Sequence, residues 1–155
     1  MKKLALLMVL AAAPAFAQDY TLGDLTIAHP MSFPSAGMTG AGYLAITNTG
    51  DVSDRLLAVT ADFPRVELHE SRMDDDGMMR MEQQDFIEIA PGETVALQPG
   101  GLHVMFVGLP DALEVGAEIP ATLQFENAGE IDIAFEVKDR PAEGEFMDHG
   151  KMDHN

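Results

Sequence analysis

Apolar residues recur at every second position along most of this chain, in short runs punctuated by glycine, proline, asparagine and aspartate. A period of two is the signature of a strand with one face buried and one facing water. The pattern predicts strands over 20–28, 42–48, 55–60, 65–70, 78–83, 86–89, 94–97, 102–107, 122–126 and 130–138. Turn signals fall between them at Asn48-Thr49-Gly50-Asp51, Asp75-Asp76-Gly77, Pro91-Gly92, Pro99-Gly100-Gly101 and Asn127-Ala128-Gly129. The last strand is the clearest. Ile131, Ile133, Phe135 and Val137 alternate with Asp132, Ala134, Glu136 and Lys138. No segment reads as a helix, because Gly116 and Pro120 interrupt the one candidate turn near Ala112. Short strands at this spacing predict an all-β sandwich or barrel.

The two ends depart from this pattern. Lys2 and Lys3, the apolar stretch 4–13 and Ala15-Phe16-Ala17 read as a cleaved secretory signal over residues 1–17. The apolar stretch is short for a bilayer span, so no membrane span is expected. No cysteine follows it that could carry a lipid. The expected location is the periplasm. The β-domain is expected over 18–139, followed by a flexible tail over 140–155 with the small repeat Met147-Asp148-His149 and Met152-Asp153-His154.

Charge and cysteine content narrow the function. The chain carries a formal charge of −17, from 26 acidic and 9 basic residues. Removing Lys2 and Lys3 makes it more negative still. Such a surface repels nucleic acid, so no nucleic-acid partner is expected. The cysteine count is zero. That removes disulfides, thiol chemistry, cysteine zinc sites and the cysteine-ligated electron-transfer copper site.

What remains is histidine and methionine. His103 and Met105 stand two apart in a predicted strand and therefore on one face. In the stretch 65–69, Val66 and Leu68 face one way while Arg65, Glu67 and His69 face the other, more polar way. The segment from Met73 to Met81 adds Met78 and Met79 after an acidic turn, with Met79 and Met81 sharing a face. A methionine in a β-domain is most often core filler, but a short hairpin has little structural need for so many. His69, Met81, His103 and Met105 form a neutral set of two imidazoles and two thioethers. Such donors suit Cu(I), whereas Cu(II) prefers more nitrogen and oxygen.

The order His69, eleven residues, Met81, twenty-one residues, His103-Val-Met105 resembles the motif of the periplasmic copper chaperone PCuAC family. The family's optional methionine after the first histidine is Glu70 here. Gly42-Tyr-Leu-Ala-Ile-Thr-Asn-Thr-Gly-Asp51 and Pro99-Gly-Gly-Leu-His-Val-Met105 also resemble the family's text. The resemblance implies a cupredoxin-like (immunoglobulin-like) β-sandwich holding one Cu(I) through His69, Met81, His103 and Met105. It further implies delivery of copper toward the dinuclear centre of cytochrome c oxidase subunit II, alongside a Sco-type protein. The residues themselves offer no catalytic spacing, so a monomeric carrier that is not an enzyme is expected. Two alternatives stand beside it. One is a copper or silver sequestration or resistance protein without delivery. The other is a metal-free β-sandwich assembly domain. Met147, His149, Met152 and His154 form a second candidate set, for Cu(II) or a second copper. His29 fits no spacing, and Met31 and Met38 are candidates for an entry route.

Overall fold

In a computed structural model of the chain, residues 19–141 are described. They form eleven strands: β1 Tyr20–Leu22, β2 Leu25–Ser32, β3 Thr39–Asn48, β4 Asp54–Ala61, β5 Arg65–Met73, β6 Met79–Gln83, β7 Ile87–Ile89, β8 Thr94–Leu97, β9 Leu102–Val107, β10 Glu118–Phe125 and β11 Glu130–Val137. The described residues contain no helix, and so none long and apolar enough to cross a membrane. The candidate signal and the Met/His repeat lie outside the described residues.

Two predicted strands change shape. The run 20–28 is a hairpin of β1 and β2, turning at Gly23 with φ 58°. Glycine there costs no Cβ clash, and the Gly-Asp pair is a hairpin turn inside what reads as one apolar run. The run 122–126 extends back to Glu118 through Pro120. Pro120 pairs with Ala134 of β11, but pairing with β4 begins only at Ala121. The proline therefore sits where one side of the strand is still unpaired.

The strands join in one mixed ribbon in the order β6-β5-β9-β3-β2-β11-β10-β4-β7, with β1 on β2 and β8 on β3. All its pairs are antiparallel except β2 with β11, where Met31 and Ser32 meet Glu136 and Val137 in parallel. The ribbon is not flat. Phe106 on β9 and Phe135 on β11 are three strands apart, which is about 14 Å in a flat sheet. Their rings nevertheless meet edge-on at 5.6 Å between centroids. The ribbon thus folds over, and its halves stack around a core that includes Leu25, Ile27, Ile46, Leu56, Val104, Leu123, Ile133 and Phe135. Gly42 permits the close approach: a Cβ there would lie 2.9 Å from Phe135 and 3.1 Å from Phe106.

One buried polar clasp holds the far end. Asp54 accepts backbone N–H bonds from Arg55, Asn127 and Ala128 at 2.8–2.9 Å. It pins the β10–β11 turn to the start of β4. A buried carboxylate satisfied by three N–H donors is a structural fixture.

Candidate metal centre

The centre begins with alternation. Leu68 of β5 and Val104 of β9 are buried in the core, so their neighbours His69 and His103 must point to the opposite face of the ribbon. β5 and β9 pair antiparallel, and the register sets His69 directly across from His103 and Glu67 across from Met105. The two imidazole centroids are 5.9 Å apart, with the rings tilted by 34°. Residues 34 positions apart in sequence are thereby made neighbours.

The two rings hold their protons on different nitrogens. Nδ1 of His103 lies 3.1 Å from the Gly101 carbonyl oxygen. A carbonyl only accepts, so Nδ1–H donates and Nε2 keeps its lone pair. Gly101 follows Gly100, which turns the chain with φ 82° just before β9. Nε2 of His69 lies 2.7 Å from Oε2 of Glu67. A carboxylate also only accepts, so here Nε2–H donates and Nδ1 is bare in the neutral ring. That Nδ1 is buried and has no hydrogen-bond partner. Leaving a buried polar atom unpaired is costly, and this nitrogen is the one unsatisfied side-chain polar atom buried among the described residues.

Glu67 is itself held. Its other oxygen accepts from Nε of Arg65 at 2.9 Å. A carboxylate gripping the distal N–H of a candidate histidine ligand is the arrangement that fixes tautomer and ring orientation in metal sites.

His103, Met105 and Met81 line one open cleft of about 300 Å³, together with Ser71, Phe33, Tyr43 and Arg140. His69 stands beside this cleft rather than in its wall. Met81 pairs with Ser71 across the β5–β6 hairpin, one level along the strands from the histidine pair, while Met105 lies one level the other way. Met81 and Met105 therefore flank the histidine pair along the strands, one on each side. His103 is 6 % exposed and Met81 is 52 % exposed. The set is deep at the imidazoles and open at one sulfur. Among the described residues, no group of three or more His, Cys, Asp or Glu side chains could hold a metal ion. The thioethers of Met81 and Met105 are the soft donors nearest this histidine pair along the strands.

The far wall is aromatic. Phe33 and Tyr43 lie 5.5 Å apart, and the Arg140 guanidinium sits 5.5 Å over the Phe33 ring. Burial pushes the Tyr43 hydroxyl above its ordinary value, with the Arg140 charge pulling the other way. Tyr43 thus stays neutral near pH 7 and adds no charge to the cleft.

The alternation places His69 on the polar face with Glu67, as the sequence predicts. Glu67, which holds the His69 ring, matches no motif spacing, although its position two before His69 is the signal that marks it. Phe33, Tyr43 and Arg140 carry no local signal. His29 is exposed, at φ 52° in the bulge of β2. Met31 and Met38 do not line the cleft. Met147, His149, Met152 and His154 lie outside the described residues.

Comparison with known proteins points in one direction. The family model described as "Putative lipoprotein LpqE-like" matches residues 21–137. A curated relative, "Putative lipoprotein Lxx21020" of Leifsonia xyli subsp. xyli, is 32 % identical over 105 residues. That match takes in 67 % of this chain and 63 % of the relative, so the chain spans less than two thirds of the relative's length. Among solved structures, the copper-bound PCuAC domain of PmoF2 superposes with a TM-score of 0.67 at 30 % identity, covering 79 % of this chain and 99 % of that domain. The Cu(I) form of DR1885 from Deinococcus radiodurans superposes at 0.56 with 26 % identity, covering 83 % of this chain and 85 % of that one. The folded-over, all-β ribbon is accordingly cupredoxin-like.

Proposed function

Given that the chain belongs to the PCuAC family, with its LpqE-like family model, we propose that it is an exported copper chaperone that binds Cu(I) and passes it to a partner. The observation that carries this reading is the His69–His103 pair. Its two tautomers leave one lone pair on Nδ1 of His69 and one on Nε2 of His103, with Met81 and Met105 on the same face. Two imidazoles and two thioethers make a neutral shell that favours soft, monovalent copper over Cu(II), Zn²⁺ or Ca²⁺. Glu67 orients His69 and is not a ligand.

Carriage rather than catalysis follows from the donor set. Four protein donors leave no vacant position for oxygen or substrate. Thioether bonds exchange readily, so an incoming ligand can replace the exposed Met81 first. Copper bound by PmoF2 and DR1885 supports copper as the cargo. The family resemblance supports the dinuclear centre of cytochrome c oxidase subunit II as acceptor, with a Sco-type protein alongside, and the periplasm as the place of exchange.

The test is a Cu(I) titration of the signal-free chain against a chromophoric chelator, beside His103→Ala/Met105→Ala. One tight equivalent lost in the variant supports the centre; equal binding by both proteins removes it. Transfer to a soluble domain of the oxidase subunit then separates delivery from sequestration. A protein that binds but never transfers is a buffer.

A second, smaller reading concerns the tail. Arg140 lines the cleft, so the chain leaves the β-domain beside the candidate centre. Met147, His149, Met152 and His154 follow 7 to 14 positions after Arg140 in the sequence. We propose that they gather Cu(II) or a second copper near the cleft. An unchanged Cu(II) stoichiometry after deletion of 146–155 would remove this role.

A further inference from the structure

The β5–β6 hairpin carries methionines that hydrophobic burial does not explain. All five residues of β6 are exposed. Met73 and Met79 stand directly opposite each other near its tip, 68 % and 58 % exposed. Apolar side chains this open gain little from the core, so the core-filler role of methionine does not apply.

Their placement is ordered. Met73 pairs with Met79, Ser71 with Met81 and His69 with Gln83. Paired residues share a face, as do alternate residues on one strand. Met73, Met79, Met81 and His69 therefore stand on one face of the hairpin. The opposite face is charged: Arg72 pairs with Glu70 at 3.0 Å, and Arg72 and Arg80 are themselves cross-strand neighbours. Thioethers are thus segregated to the side that bears the candidate centre.

The tip holds this register. Oδ1 of Asp74 accepts N–H bonds from Asp76 and Met78 at 3.1 and 2.9 Å, and Oδ2 takes Nε of Arg80 at 2.5 Å. The backbone closes the same turn, with Asp74 N–H donating to the Met78 carbonyl at 2.9 Å. Met73 and Met79 emerge from a braced turn, not a loose loop.

We propose that Met73 and Met79 form an outer Cu(I) site, with Met81 as the thioether shared between it and the inner centre. Cross-strand partners lie about 5 Å apart at Cβ, close enough for two flexible thioethers to converge on one ion. Met81 lies about 7 Å inward along β6. Copper moves by ligand exchange: a new sulfur–copper bond forms as an outer one breaks, and the ion stays Cu(I) throughout. Affinity rises inward, from two or three sulfurs to a set that adds two imidazoles, so the hairpin loads the centre from its exposed end. This inference rests on the inner-centre reading.

The test uses the full signal-free chain with ¹³C-methyl methionine, titrated with Ag(I) as a redox-inert substitute for Cu(I). The expected order is movement of the Met81 and Met105 methyls first, then of Met73 and Met79 together. Met73→Leu/Met79→Leu keeps shape and removes sulfur. It should lose the second step and load the inner centre several-fold more slowly from a Cu(I)–chelator complex, at unchanged final affinity. Fixed Met73 and Met79 methyls, or wild-type loading by the leucine variant, would overturn the outer site. Fixed Met81 and Met105 methyls would instead overturn the inner centre and, with it, the hand-over.

Discussion

Glu67 accepts the Nε2–H of His69 at 2.7 Å, and the ring's other nitrogen is buried without a partner. The carboxylate thus decides which nitrogen of His69 is free. Arg65 holds the second carboxylate oxygen, so Glu67 has little freedom to swing away.

Removing this grip should weaken copper binding without removing a ligand. Glu67→Ala is expected to lower Cu(I) affinity about 10–100-fold, the usual cost of losing a carboxylate behind a histidine ligand. Glu67→Gln keeps an oxygen that can accept from Nε2–H and should recover part of the loss. Chelator competition on all three proteins checks this. Equal affinities would mean that Glu67 serves only the strand's solvent face.

The thioethers should set oxidation-state preference. Met81→Ala/Met105→Ala is expected to weaken Cu(I) much more than Cu(II), because sulfur is the soft part of the set. Parallel competition titrations with the two ions measure the ratio. Comparable losses for both would count against sulfur ligation.

Acid should loosen the hairpin tip. The bond from Arg80, followed by the N–H bond from Met78, holds the Asp74 carboxyl below its ordinary 3.8. A depressed folded-state value means the contribution is present above 3.8 and is lost as the pH falls through the lower folded value. Amide exchange at Asp76 and Met78 should therefore quicken only under strongly acidic conditions. Asp74→Asn should show the faster exchange at neutral pH.

Gly42 should tolerate no side chain. A Cβ there would lie within 3.2 Å of both Phe106 and Phe135, where the two halves of the ribbon meet. Gly42→Ala is expected to cost about 1–3 kcal/mol, as overpacking of a filled core does. Urea unfolding measures it. A cost near zero would mean that the rings can move apart freely.

Much of the domain was legible in the chain. Alternation marks β11 through Ile131, Ile133, Phe135 and Val137, and it puts His103 with Met105 on one face. It failed where local signals conflicted. Gly23-Asp24 turns the chain inside an apolar run, and Pro120 sits inside a strand because one side is unpaired there. Glu67 was on the correct face, but its bond to His69 depends on side-chain geometry that no spacing encodes.

Local alternation marks most of the strands and the face that most of their side chains take, and composition leaves any metal chemistry here without cysteine. These follow from the two-residue period of an extended backbone and from composition, both local properties. Long-range packing sets β5 beside β9 with His69 opposite His103, brings Arg140 to the wall of the cleft, and leaves Met73 opposite Met79 in the open. Strand partners and register are chosen by which buried faces pack together, and that choice is made between residues far apart along the chain.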